Sequence, residues 1–214
     1  MRGLERDLDA GEGGQECSHR LRGSQWPGTT HADSAAAPET PMAEILEVLK
    51  YPDPILRRGG KDVQEVDDAI RATAANMLHT MYNYRGVGLA APQVGLDLKL
   101  LVLNQEGDPA KPEEELVMLN PKIISRKTLE FGEEGCLSFP SLYAEVERHK
   151  VIRVAYRDLD GGDQEVRFED FIARIVLHEM DHLQGVLFVD RLSAAERIRV
   201  RSKLLDMEKE YEAR

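Results

Sequence analysis

The run FIARIVLHEMDHLQG, residues 171–185, sets two histidines four apart inside an amphipathic helical pattern. Side chains four apart on a helix stand one above the other on the same face. His178 and His182 can therefore turn ring nitrogens toward one cation, and the run predicts a helix from about Asp170 that ends before Gly185. Phe171 and Ile175 fall on the same face and border it with apolar side chains. Glu179 lies about 60° around from His182, given a helical step of about 100° per residue. It can serve an open coordination position without being a ligand, as proton transfer on a metal-activated water requires. Two core histidines spaced by coincidence are the alternative, and the intervening glutamate argues for a catalytic divalent-metal site.

Such a site has three protein ligands and one open position. The metzincin continuation H-E-x-x-H-x-x-G-x-x-H matches at Gly185 but meets Phe188 where its third histidine belongs. Glu196, Glu208, Glu210 and Glu212 lie in a charged terminal segment, where solvated surface is the simpler role. Upstream, EEGCLSFP (133–140) carries Cys136. A thiolate is a strong ligand for a soft or borderline cation, and a small buried core cysteine is the alternative.

A third run, RGVGLAAPQVG (85–95), is small and glycine-rich, as the wall of a cleft would be. Its Gln93 offers a neutral carboxamide that can donate to a developing oxyanion. The spacing fails G-x-x-x-x-G-K-[ST], so phosphate binding is a poor reading, and a plain turn is the other alternative.

Around these runs the chain reads as α+β: mainly antiparallel strands packed around the central HExxH helix, with a C-terminal helix. Asp67 and Asp68 can cap a helix whose stripe is Ile70, Ala74, Met77, Leu78 and Met81. Residues 98–104 and 117–125 read as strands, and 147–168 as a hairpin turning at Asp160-Gly161-Gly162. A last helix spans about 194–212, striped by Val200, Leu204, Met207 and Tyr211. Residues 1–41 contain no Val, Ile, Phe or Tyr, and are expected to form a disordered tail ahead of one catalytic domain, 42–214.

The net charge of -11 disfavours specific DNA binding and anionic membrane. No apolar run approaches the length of a membrane span, and two cysteines make no disulfide framework, so a cytoplasmic setting is expected. Arg197, Arg199, Arg201 and Lys203 form one basic cluster in the last helix, for which an ordinary solvated face is the plain reading.

GVGLAAPQVG, EGCLSFP and HEMDHLQG, in that order, together resemble the three signature motifs of the peptide deformylases. The resemblance covers nearly all of 43–214, YPDPILR (51–57) included. It implies a metal-dependent hydrolase that removes the N-formyl group from the formylmethionine of nascent polypeptides and releases formate. It makes Cys136, His178 and His182 the metal ligands, and Fe²⁺ the metal, with Zn²⁺, Ni²⁺ or Co²⁺ able to substitute. It further implies that a metal-bound hydroxide would attack the formyl carbon, with Glu179 as general acid/base and Gln93 and the backbone N–H of Leu137 as the oxyanion stabilisers. The methionine side chain is expected among Val87, Phe171 and Ile175, with the peptide extended along the segment that contains Gly88. The resemblance also offers the ribosome as a partner of the C-terminal helix. Two positions depart from the family pattern: Tyr143 stands about where many bacterial members carry an arginine, and Gly132 where others carry a branched apolar residue.

Overall fold

LLVLN, residues 100–104, is apolar on both faces because both faces are covered. Leu101 and Leu103 pack into a cluster with Ile175, Val176 and Met180. Leu100 and Val102 pack with Met77, Met81 and Leu89 in another. In the computed structural model, which describes residues 43–213, this segment is strand β2 (Leu100–Asn104), fully buried between two helices. The expected tail, 1–41, lies outside the described residues, as does Cys17.

The sheet is an antiparallel meander of five strands in chain order: β1 (Gly88–Ala90), β2, β3 (Glu115–Cys136), β4 (Phe139–Arg157) and β5 (Asp163–Glu169). The architecture is α+β, as the sequence predicts. Helix α1 (Asp68–Asn83) is capped by Asp67, whose side chain accepts from the Ile70 amide, and covers one face of β2. Helix α2 (Asp170–His182) follows β5 directly and covers the other. Helix α3 (Ala194–Glu212) begins at Ser193, whose side chain caps the Glu196 amide.

Two strands run beyond their expected bounds. The segment 117–125 is the first half of β3, which continues to Cys136 and pairs with β4 along most of its length. The charged and glycine-containing residues of that second half hide the strand, because its outer face is solvated. Register shifts near Leu119 and Ile123 also break the alternation that marks a strand. The β4–β5 turn is where it was expected, held by the Asp158 carboxylate accepting from the Asp160 and Gly162 amides.

A third cluster joins Phe139, Leu142 and Val146 of β4 to Phe188, Leu192 and Val200. Leu204 and Met207 of α3 pack against it, so the stripe read in the last helix covers the base of the hairpin. Polar bonds reinforce the seat: Arg199 Nη2 donates to the Tyr143 carbonyl (2.8 Å) and Lys203 Nζ to the Ser141 carbonyl (3.0 Å).

Leu101 is completely buried between the sheet and α2. Leu101→Ala is expected to lower the free energy of unfolding by about 3 kcal/mol, the usual cost of a core leucine truncation. Urea unfolding of the two proteins in parallel measures it.

Candidate metal centre

Three elements bring the expected ligands together. Cys136 ends β3 immediately before the Leu137-Ser138 turn. His178 and His182 stack on successive turns of α2, ring centroids 5.1 Å apart. The sulfur and one nitrogen from each ring all lie within 4.8 Å of one another, the one such group found among the described residues. The His182 Nε2 stands 3.3 Å from Cys136 Sγ. This donor set of one thiolate and two imidazoles suits a borderline divalent cation.

Phe188, in the position a third histidine would take, is packed edge-on against Phe139 with centroids 5.1 Å apart. It belongs to the third apolar cluster, its ring centroid 6.0 Å from that of His178, and offers no ligand atom.

A buried charge network orients His178. Its Nδ1 faces Glu134 Oε2 at 2.9 Å. A proton held on Nδ1 by this carboxylate leaves Nε2 with a lone pair for a cation, as in carboxylate–histidine–metal triads. Glu134 also accepts from Arg148 Nε (2.8 Å) and Nη2 (2.9 Å) and from Arg174 Nη1 (3.0 Å). Arg148 in turn pairs with Asp181, which Arg191 Nη2 also reaches at 2.6 Å. Burial opposes charge on Glu134, but hydrogen bonds from Arg148 and His178 override it and hold the carboxyl well below the usual range. Burial likewise opposes charge on His178, yet Cys136 and Glu134 raise its pKa above the ordinary histidine value. For His182, burial and the charges of His178 and Arg148 act together and hold it neutral.

Glu179 is buried on the next position of the helix. Burial, the largest influence, pushes its carboxyl up to about 7. Its Oε2 and the His182 Nδ1 are buried polar atoms without a hydrogen-bond partner among the described residues. Buried polar atoms are nearly always satisfied, so Glu179 is shaped to meet something that enters the site. Its Oε1 lies where a Cβ on residue 88 would come within 2.6 Å, which is why Gly88 is glycine.

Gln93 is buried with a fixed orientation. Its Oε1 accepts from the Ala90 amide (2.8 Å), which turns Nε2 toward Ser138 Oγ (3.3 Å) and Cys136 Sγ (3.5 Å). The donor end thus faces the centre. A cleft of about 520 Å³ opens on this group, lined among others by Gly86, Val87, Gly88, Gln93, Cys136, Leu137, His178 and Glu179. Tyr143 lines it as well, its ring lying across Gly135. Beside the cleft is a smaller pocket of about 130 Å³, whose lining includes Val87, Phe171 and Ile175. All ten residues singled out in the sequence thus gather at one place.

Sequence reading missed the acidic groups of the network behind the ligands. Glu134 sits two residues before Cys136 on the same strand face, and strand alternation could have flagged it. Asp181 stands inside HEMDH itself. Lys50 was also missed: its Nζ donates to the Leu137 carbonyl at 2.7 Å and lies over the Tyr84 ring.

Comparison with known proteins agrees with this geometry. A family model described as polypeptide deformylase matches residues 45–198. The chain is 41% identical to the chloroplastic peptide deformylase 1B of rice (Oryza sativa) over 188 residues, 87% of this chain and 69% of that protein. It is 46% identical to the peptide deformylase of Alkalilimnicola ehrlichii over 160 residues, 75% of this chain and 89% of the relative. Among solved structures, a plant peptide deformylase superposes with a TM-score of 0.76 at 41% identity, covering 82% of this chain and 93% of that one. The peptide deformylase of Legionella pneumophila gives 0.71 at 40% identity, covering 79% and 98%.

Arg148→Met leaves Glu134 and Asp181 with less compensation in a dry interior. Breaking a buried ion pair on one side costs about 3–5 kcal/mol. The variant is expected to unfold at correspondingly lower urea concentration, and native-like stability would show that Arg148 does not hold the centre together.

Proposed function

Since the chain belongs to the polypeptide deformylase family of hydrolases, we propose that it removes the N-formyl group from the formylmethionine of nascent polypeptides through the cleft beside Glu179. The observation that carries this is the convergence of Cys136, His178 and His182 under an open cleft, with the buried Glu179 carboxylate, its Oε2 unpartnered among the described residues, at the edge. Cys136, His178 and His182 would hold the metal. Fe²⁺ is the metal proposed, with Zn²⁺, Ni²⁺ or Co²⁺ able to substitute. When bound, the cation supplies Lewis acidity that polarises the formyl oxygen and acidifies water.

The chain's own groups divide the rest of the work. Glu179, with its carboxyl raised by burial, can take a proton near neutral pH and return it to the leaving amine. Gln93 Nε2, aimed by the Ala90 amide, and the Leu137 N–H would donate to the developing oxyanion. Val87, Phe171 and Ile175 would receive the methionine side chain, with the peptide laid along β1 at Gly88 as an added strand.

Location and partners follow the same reading. No helix among the described residues is long and apolar enough to cross a membrane. The cytoplasm is the setting proposed, with an organelle as the second reading because the rice relative is named chloroplastic. Ribosome docking is assigned to the face of α3 that carries Arg197 and Arg201, both exposed beside Ile198, which is 76% exposed. Replacing both arginines with glutamate is expected to reduce salt-sensitive cosedimentation with ribosomes; unchanged pelleting would remove the docking assignment.

Formate release from formyl-Met-Ala-Ser, with bound metal quantified, tests the activity. Glu179→Gln should keep the metal and lose turnover. Gln93→Leu should keep the metal and lower kcat by about 100-fold, the usual loss for one oxyanion donor. Cys136→Ala should lose the metal. Wild-type turnover in Glu179→Gln would refute the proposed mechanism.

A further inference from the structure

Helix α2 has a second working face. Leu177, Met180 and Asp181 border a cavity of about 420 Å³ between the helix and the β3–β4 hairpin. None of the residues lining this cavity lines the cleft or the smaller pocket at the metal centre. Its apolar wall is made by Leu177 and Met180 from the helix and by Ile123 and Leu129 from β3. Leu129 is 54% exposed, a large apolar side chain left in contact with water.

The polar side of the cavity is the outer end of a chain of alternating charge. Arg174, Glu134, Arg148, Asp181 and Arg191 follow one another in ion pairs, so the chain begins and ends on a cation. The inner end is closed. Arg174 donates to the main-chain carbonyls of Glu130 (3.0 Å), Gly132 (3.3 Å) and Val146 (2.9 Å). The outer end is open. Arg191 gives Nε (3.1 Å) and Nη2 (2.6 Å) to Asp181, but its Nη1 has no acceptor among the described residues, and its side chain is 47% exposed in the cavity. The Arg126 side chain lines the same cavity and makes no hydrogen bond or ion pair with any described residue. Glu147 and His149 complete the charged and titratable lining. Three guanidiniums, of Arg126, Arg148 and Arg191, thus face two carboxylates, of Glu147 and Asp181, one positive charge in excess.

We propose that this cavity binds a monoanionic carboxylate with an apolar tail, its head on Arg126 and Arg191 and its hydrocarbon on Ile123, Leu129, Leu177 and Met180. A guanidinium fork matches a carboxylate in shape and charge. A single negative charge balances the excess, whereas a phosphate dianion would bring its second charge beside Glu147 and Asp181, where like charges repel. Apolar walls with a few convergent polar groups are the usual make-up of a small-molecule site. A carboxylate bound there closes the alternating chain that orients His178 without entering the cleft, so the site goes beyond the deformylase reading and does not depend on it.

The test titrates the full-length, zinc-loaded protein with octanoate, butyrate, octylammonium and inorganic phosphate by calorimetry. Octanoate is expected to bind about tenfold or more tighter than butyrate, because it has more methylenes to bury. Octylammonium and phosphate should each bind about tenfold or more weakly than octanoate, because their charge is mismatched. Arg126→Glu and Leu129→Asp, both at exposed side chains, should each weaken octanoate about tenfold or more. Arg85→Glu, at the cleft, should leave its affinity unchanged. Methyl-labelled methionine reads the site without any substitution there: octanoate should move the Met180 methyl resonance and leave those of Met77 and Met81, which pack in the cluster under α1, in place. A carboxylate that coordinated the metal instead would bind Arg126→Glu and Leu129→Asp as tightly as wild type, and that result would overturn the proposal. So would phosphate binding as tightly as octanoate, or a Met180 resonance that stays still at saturation.

Discussion

The centre depends on the carboxylate of Glu134, which is buried and shared by Arg148, Arg174 and the Nδ1 of His178. Taking a carboxylate out of water costs several kcal/mol, recovered only when its lone pairs are fully engaged. Here they are, and the donors come from separate elements: β4 contributes Arg148, and α2 contributes Arg174 and His178. Asp181 extends the network from α2 to Arg191. An apolar replacement of the network could be as stable, but it could not orient an imidazole. The network is best understood as a device for positioning, with its stability cost met by the three apolar clusters around it.

Those clusters explain why the network can be rigid. Helix α2 is wedged between the sheet and the segment that leads to α3, so its turns cannot rotate without breaking the seat of Ile175, Val176 and Met180. Phe188 and Phe139 close the side toward α3. From behind, α3 anchors the carbonyls of Ser141 and Tyr143, which begin the strand leaving the Leu137-Ser138 turn. Tyr51 adds a bond to Glu208 of the same helix (2.5 Å). Arg199 and Lys203 are thus engaged with the hairpin, which divides the basic cluster of the last helix into an inward pair and an outward pair.

Much of this was legible in the sequence because it is periodic or local. The i, i+4 histidines, the helix stripes, the Asp67 cap and the Asp158 turn are all set by neighbours a few residues away. Cys136 was found by elimination, once Phe188 ruled out the usual third ligand. The rest depends on contacts between distant segments. Glu134 and Arg148 are 14 residues apart, and Glu134 and His178 are 44 apart, joined only because β3 and β4 pair in one register and α2 crosses them. The second half of β3 escaped notice because one face is charged and solvated. The reason for Gly132 could not be read locally, since its constraint is a guanidinium 42 residues away.

The two histidines are not equivalent, although the motif writes them alike. His178 is held electrostatically, by a carboxylate that fixes its Nδ1 and by partners that favour positive charge. The Nδ1 of His182 has no hydrogen-bond partner among the described residues, and burial and nearby positive charge keep its ring neutral. Its orientation comes from packing, with 1% of its surface exposed, and from the Cys136 sulfur at 3.3 Å. A carboxylate on both rings would bring a second buried anion beside Glu179 and raise the cost of ionising it. Supporting one imidazole by charge and the other by shape adds no second carboxylate beside Glu179, whose carboxyl burial already pushes up to about 7.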